Sequence, residues 1–261
     1  MNDAGVLHST LNRIDGKGYK AYKDIEGTYD LNDEGFILHI DHVQGDPFAA
    51  PSKLRVTIPQ EVAGFPPETY SSLSREVGTR DFITRLFRSA VRKFCKNKGG
   101  SGKSGVIDID SPGQEVLERT SAFIDQDEVE IRFTLGLPAF GRKIAGREAQ
   151  RILFSELPEV VRNAAIYDNI PGEALFNHIE VVEDADVLRH KIIEKGLVSF
   201  IADGAILPRN SGVDPRPLQG DDVVPFQSPE SFHYNFELPN KGEISGMGIP
   251  EGISLIVGGG F

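Results

Sequence analysis

The chain has 261 residues, 39% hydrophobic and 26% charged, enough for one large domain or two modest ones around a sizeable core. No run approaches the ~18–20 apolar residues of a membrane span, and the N-terminus lacks the regions of a signal peptide, so a cytoplasmic protein without a membrane partner is expected. The single cysteine, Cys95, excludes an internal disulfide and a cysteine-based zinc site, and the net charge of -11 excludes an all-round cationic surface.

The first thirty residues mix Gly, Lys and Tyr without a period and read as an extended arm or irregular start. Within them "KGYKAYK" interleaves Lys17, Lys20 and Lys23 with Tyr19 and Tyr22, a composition suited to backbone contact and base stacking. "FILHIDHV" (36–43) and "LRVTI" (54–58) alternate as half-buried strands do, joined by the loop "QGDPFAAPS". His42, Gln44 and Asp46 are candidates there for acid–base or hydrogen-bonding work. Strand alternation sets His42 and Gln44 on one face and His39 opposite His42, with Asp46 already in the turn before Pro47. No metal centre is expected.

Residues 80–96 read as an amphipathic helix capped by Thr79, with Phe82, Leu86, Ala90 and Phe94 on its apolar side. Arg85, Arg88, Arg92 and Lys96 fall on the other side, at spacings of three and four. From Arg75 to Lys103 nine cations face only Glu76 and Asp81, a local excess of positive charge in an acidic chain. The stripe runs into "NKGGSGKSG", a flexible and basic loop in which Gly102, Lys103 and Ser104 fit the end of a phosphate loop. Asn97 stands where the first glycine belongs, and a helix precedes where a strand should, so a nucleotide P-loop is rejected here. What is left is a surface loop, or a grip by Lys103, Ser104 and backbone amides on a nucleic-acid phosphate. The stripe and Lys103 suit phosphates along a strand, with salt-dependent binding; the alternative is a solvated helix face.

"VIDID" (106–110), "SAFID" (121–125) and "EVEIRFTL" (128–135) read as strands, followed by helices in "AGREAQRILFSEL", "PEVVRNAAIY" and "DADVLRHKIIEKG". After the short strand "LVSFIA", residues 203 to about 222 are rich in Gly, Pro and Asp, which suggests a boundary or a functional segment. Asp203 and Arg209 either line a nucleotide or RNA path there or pair with each other. "SFHYNFEL" and "ISLIV" are the last expected strands, the second a buried one delivering the chain into Gly258, Gly259 and Gly260.

"GKGYKAYKDIEGTYDL", "HIDHVQGDPFAAPS", "DIDSPGQEVLERTS", "GLPAFGRKIAG", "FIADGAILPRNSG" and "GMGIPEGISLIVGGGF" together resemble the family of ATPases of the ABC class, whose kinetoplastid member belongs to the mitochondrial RNA-editing machinery. The resemblance implies an α+β fold: an N-terminal mixed domain over residues 1–222, then the opening strands of a truncated ABC-type P-loop ATPase domain over 223–261. It makes Gly258 to Gly260 the start of the Walker A loop, inside which the chain is expected to stop, and offers Phe226 for stacking on adenine. ATP and Mg are cofactors of the full-length family; tight binding is not expected of a chain without the Walker A lysine, the Walker B carboxylate and the signature sequence. The implied partners are RNA or another single-stranded nucleic acid, the remainder of the ATPase domain, and a second copy in a homodimer. A nucleic-acid-binding module of an ATP-driven machine is the expected function. A structural clamp on the ATPase domain and an independent enzymatic site near His42 are the alternatives.

Overall fold

Strands in which every second residue is apolar build the sheet of the first unit, and helices cover their apolar side. The computed structural model describes residues 1–31, 34–96, 99–221, 223–255 and 257. It divides into two units, Met1–Phe176 and Asn177–Phe261.

The first unit runs β1 (Asn2–Asp3), α1 (Ala4–Ile14), a 3-10 segment Tyr19–Ile25, β2 (Gly27–Leu31), β3 (Phe36–His42), β4 (Ser52–Pro59), α2 (Gln60–Ala63), α3 (Leu73–Phe94), β5 (Ile107–Asp108), β6 (Ala122–Ile124), β7 (Glu128–Leu135), β8 (Ala139–Phe140), β9 (Lys143–Ile144), α4 (Gly146–Arg151) and α5 (Leu157–Ala165). The main sheet is ordered β1-β2-β3-β4-β7-β5, with β6 on β7 as well; only the β1–β2 pair is parallel. Leu38, Ile40, Leu54, Val56, Ile58, Val129, Ile131 and Phe133 are buried on one face. Phe87 of α3 packs on Phe133 with ring centroids 5.2 Å apart. Truncating such a ring to alanine costs about 3–5 kcal/mol. The other face is polar: His39 lies between the hydroxyls of Thr28 and Thr57, and Arg55 reaches Asp41 and Glu130. One covered and one polar face is the usual economy of an antiparallel sheet.

Several expectations are corrected here. The N-terminus is not an extended arm. Asp3 caps α1 by accepting the Gly5 N–H, and Tyr19 and Tyr22 are buried, their hydroxyls donating to the carbonyls of Leu137 (3.0 Å) and Pro138 (2.7 Å). Burial of two rings with their hydroxyls satisfied outweighs exposing them to solvent. α3 starts at Leu73 with Ser72 as its cap, not at Thr79, which is buried within the helix and donates to the Thr69 carbonyl at 2.6 Å. α4 and α5 join through one π turn, Ile152–Glu156; Pro158, which has no N–H to offer, sits in the first turn of α5.

α6 (Gly172–Glu194) starts in the first unit and continues into the second, which holds β10 (Leu197–Ala202), β11 (Arg209–Ser211), β12 (Asp214–Pro217), β13 (His233–Leu238) and β14 (Gly242–Pro250). β10, β14 and β13 form an antiparallel sheet, and β11 pairs with β12. The Asp184 carboxylate accepts the backbone N–H groups of Asn240 (3.0 Å) and Lys241 (2.8 Å), which fastens the β13–β14 turn to α6. Gly248 is required for closeness: a Cβ there would lie 2.7 Å from both Leu197 and Tyr234 side chains. Among the described residues the last strand is β14, and those of 253–257 lie in no strand. Ile253, Leu255 and Val257 are exposed, with no strand opposite them among the described residues. The division between the units falls at 176/177, upstream of the 222 that composition suggests, because Gly and Pro mark loops rather than packing limits. No helix among the described residues is long and apolar enough to cross a membrane.

Candidate nucleic-acid interface

Register brings three connections to one end of the first sheet. Ser52 and Ile107 both pair with Leu135, so the β3–β4 loop, the α3–β5 loop and the β8–β9 hairpin leave the sheet together. Gln44, 2% exposed, ties two of them: its Oε1 accepts the N–H groups of Ser52 (3.2 Å) and Leu137 (3.3 Å), and its Nε2 donates to the Asp46 carbonyl (3.1 Å). The glycine-rich loop is tied to the hairpin. Ser101 N–H donates to the Ala139 carbonyl (2.9 Å), Ser104 Oγ accepts the Ala139 N–H (3.0 Å), and Ser101 Oγ accepts the Gly141 N–H (2.8 Å). Gly102, at φ +62°, seats this loop against the third connection; a Cβ there would lie 2.1 Å from the Pro47 carbonyl oxygen and 3.4 Å from the Phe48 ring. Gly18 bridges Lys143, and Tyr19 N–H donates to the Arg142 carbonyl (2.9 Å), which adds the "KGYKAYK" segment to the assembly.

The outward side of these loops is aromatic and basic. Phe48 is 71% and Phe140 66% exposed. Phe140 stands directly across the hairpin from Lys143, so the two share a face. Lys103 follows Gly102. Arg142 pairs with Asp46 at 3.3 Å, while Lys17, Lys20, Lys103 and Lys143 have no ion pair among the described residues.

The residues proposed from sequence divide sharply. Arg85 is neutralised by Asp81 (2.7 Å) and donates to the Gly113 carbonyl (2.7 Å); Arg88 places a nitrogen 3.3 Å from Ser111 Oγ. Arg92 and Lys96 are exposed and lack ion pairs among the described residues, so no continuous stripe of four free cations exists. Lys23 is engaged by Glu26 at 2.7 Å. Tyr19 and Tyr22 are core side chains and cannot stack on bases; burial pushes both phenols up in pKa. Ser104 is buried and spends its hydroxyl on Ala139, so it does not grip a phosphate.

The loop candidates resolve as follows. A β-bulge between Ile40 and His42 sets His42 across from Lys53 and His39 across from Arg55, two positions of one face, so the expected opposition of the histidines fails. His42 is exposed while Gln44 is buried, and Asp46 is a turn former whose Oδ1 accepts the Phe48 N–H (3.0 Å). The acidic group whose charge reaches His42 is Glu26, and that carboxylate is taken up by Lys23 and the Val43 N–H. Asp203 accepts the Ser228 N–H (2.6 Å) and the hydroxyls of Ser228 (3.1 Å) and Ser245 (2.8 Å), and these bonds hold its carboxyl below the ordinary value. Arg209, exposed on β11, does not pair with it among the described residues. Phe226 is half-buried, its backbone paired with Ala205 and Gly204. Gly258, Gly259 and Gly260 lie outside the described residues.

Phe48 and Phe140 were missed by sequence reasoning. The signal that could have found them is a phenylalanine one or two residues after proline in a segment without apolar periodicity, in "DPFAAPS" and "LPAFGRK".

Asp203 is committed to Ser228 and Ser245, and no three His, Cys, Asp or Glu side chains converge on a metal among the described residues. Two family models match the chain: that of the N-terminal domain of ATPases of the ABC class over residues 4–168, and that of the ABC ATPase P-loop domain over residues 171–261. Comparison with curated proteins gives no match. With the first model spanning more than half of the residues and the second beginning just after it, the chain belongs to the ATPases of the ABC class.

Proposed function

We propose that the first unit binds single-stranded nucleic acid, RNA in preference, on the loop platform of Phe48, Phe140, Lys103, Arg142 and Lys143, as a recognition module of an ATPase. One observation carries the reading: two exposed phenyl rings flank a glycine-rich basic loop that hydrogen bonds to the β8–β9 hairpin hold in place. Bases stack on such rings irrespective of sequence, at about 1–3 kcal/mol per base, while lysines follow the phosphates. An overall charge of -11 disfavours a polyanion away from local clusters of cations, of which this platform is one. The preference for RNA rests on the resemblance to a family with a member in RNA editing.

Fluorescence anisotropy with labelled oligo(U) and oligo(dU) at two salt concentrations tests it. Phe48→Ala with Phe140→Ala weakens binding on the order of tenfold or more with little change in salt slope. Lys103→Ala with Lys143→Ala lowers that slope by about 1 to 2. Absence of binding at low salt, or indifference to all four substitutions, refutes the proposal.

A further inference from the structure

One carboxylate of the first unit serves two residues of the platform. Asp46 Oδ1 accepts the Phe48 N–H at 3.0 Å, and its Oδ2 lies 3.3 Å from Nε of Arg142. The Asp46 backbone is itself held, because its carbonyl accepts Nε2 of buried Gln44 (3.1 Å) and the Ala49 N–H (3.1 Å). Arg142 and Gly141 form the two-residue turn of the β8–β9 hairpin, between Phe140 and Lys143. Gly141, at φ +61°, donates its N–H to Ser101 Oγ (2.8 Å), and the Arg142 carbonyl accepts the Tyr19 N–H (2.9 Å). The turn is pinned on both sides. The guanidinium is therefore carried on the hairpin that bears one exposed ring and tethered to the loop that bears the other.

The ion pair changes what Arg142 offers a nucleic acid. Asp46 offsets its net charge and so weakens its pull on a phosphate, whereas Lys103 and Lys143 have no ion pair among the described residues and suit that role. The pair occupies only Nε. The side chain is 80% exposed, and both terminal nitrogens keep their planar fork of N–H donors for a ligand. Such a fork matches an edge with two adjacent acceptors, which guanine presents as O6 and N7 and cytosine as O2 and N3; adenine and uracil set a donor beside each acceptor. Of the two, guanine covers more of a phenyl ring, since two fused rings stack over a larger area than one.

We propose that Arg142 is the specificity-determining residue of the platform, an inference that rests on single-stranded nucleic-acid binding there: held at Nε by Asp46, it donates to O6 and N7 of a guanine stacked on the exposed phenyl rings. The lysines grip the strand whatever its sequence, and Arg142 sets the register at which it stops.

Anisotropy of the full chain with oligo(U), and with the same strand carrying one central guanine, 7-deazaguanine, cytosine or adenine, tests the proposal. The guanine strand binds on the order of tenfold more tightly than oligo(U), and 7-deazaguanine, which lacks the N7 acceptor, loses most of that gain. Arg142→Lys keeps the charge but not the fork; it abolishes the guanine preference and leaves oligo(U) affinity within about twofold of the parent. Asp46→Asn keeps an acceptor for the Phe48 N–H but frees the guanidinium charge, so the salt slope steepens by about 1 on every strand. Equal affinity for the guanine strand and oligo(U), a guanine preference that survives Arg142→Lys, or a cytosine strand bound as tightly as the guanine one overturns the proposal and leaves the platform standing. Absence of binding to every strand at low salt refutes the platform, and this inference with it.

Discussion

Arg85 lies against a fully buried carboxylate: its Nε is 2.7 Å from Oδ2 of Asp81, one helical turn earlier, whose side chain has 0% exposure. The same guanidinium donates to the Gly113 carbonyl, and Arg80, buried on the same helix, donates to the carbonyls of Ala122 (2.8 Å) and Arg119 and lies over the Phe123 ring. Arg80 and Arg85 of α3 thus act as internal buckles that fasten the 109–121 loop to the helix.

Arg85→Ala removes the guanidinium that pairs with buried Asp81, a loss of about 1.5–3 kcal/mol, the range of hydrogen bonds to charged groups. Urea denaturation measures it, and a parallel titration with oligo(U) shows affinity within about twofold of the parent, since the backbone contacts of the loop rather than phosphates take up this guanidinium. A variant of full stability that has lost RNA affinity contradicts this assignment.

Gln44→Ala deprives the N–H groups of Ser52 and Leu137 of their shared acceptor. A buried donor left unsatisfied costs about 1–3 kcal/mol, so a drop on the order of 2–4 kcal/mol in thermal or chemical denaturation is expected. Hydrogen exchange rises at 136–141 more than in α5, because the hairpin loses its tie to the β3–β4 loop.

Glu130 supplies the pH dependence. Burial alone raises its carboxyl pKa, but the hydrogen bonds from Arg55 (2.8 Å) and Arg132 (2.6 Å) outweigh it and hold the group below its ordinary value. A folded pKa below the unfolded one adds stability that is fully present above the unfolded value and is lost as pH falls through the folded one. Between roughly pH 5 and pH 3 the parent loses more stability than Glu130→Gln, whose side chain does not titrate. Parallel slopes in a urea series at these pH values refute the assignment.

Cys95 follows the last turn of α3, where burial first and the Glu156 charge second push its thiol up to about 12. Only the thiolate reacts quickly, so alkylation by iodoacetamide near pH 8 is much slower than for an unfolded control and accelerates on denaturation. Equal rates folded and unfolded exclude this environment.

β3, β4 and β7 were legible because each alternates apolar and polar residues, and α3 because its apolar positions recur at helical spacing. The start of α3 was not, since Gly78 and Thr79 imitate a helix beginning locally while the packing of Thr79 on Thr69 keeps the helix intact through them. β14 was missed because its glycines weaken strand propensity, whereas β10 and β13 need those glycines in order to approach it. Of the platform, sequence exposed Lys103 and the glycines but not Phe48 and Phe140, whose neighbours come from other loops.

By itself the sequence determined the strand periodicities, the local excess of cations, the turn glycines and the motifs of the ATPase family, all of which are relations among residues near one another in the chain. Only the tertiary structure decided which of those cations and rings meet solvent. Tyr19 is buried because its hydroxyl and ring are matched by Leu137, 118 positions away, and Arg85 is spent on a loop 28 residues downstream. Exposure is a property of what packs against a side chain, and composition carries no record of that partner.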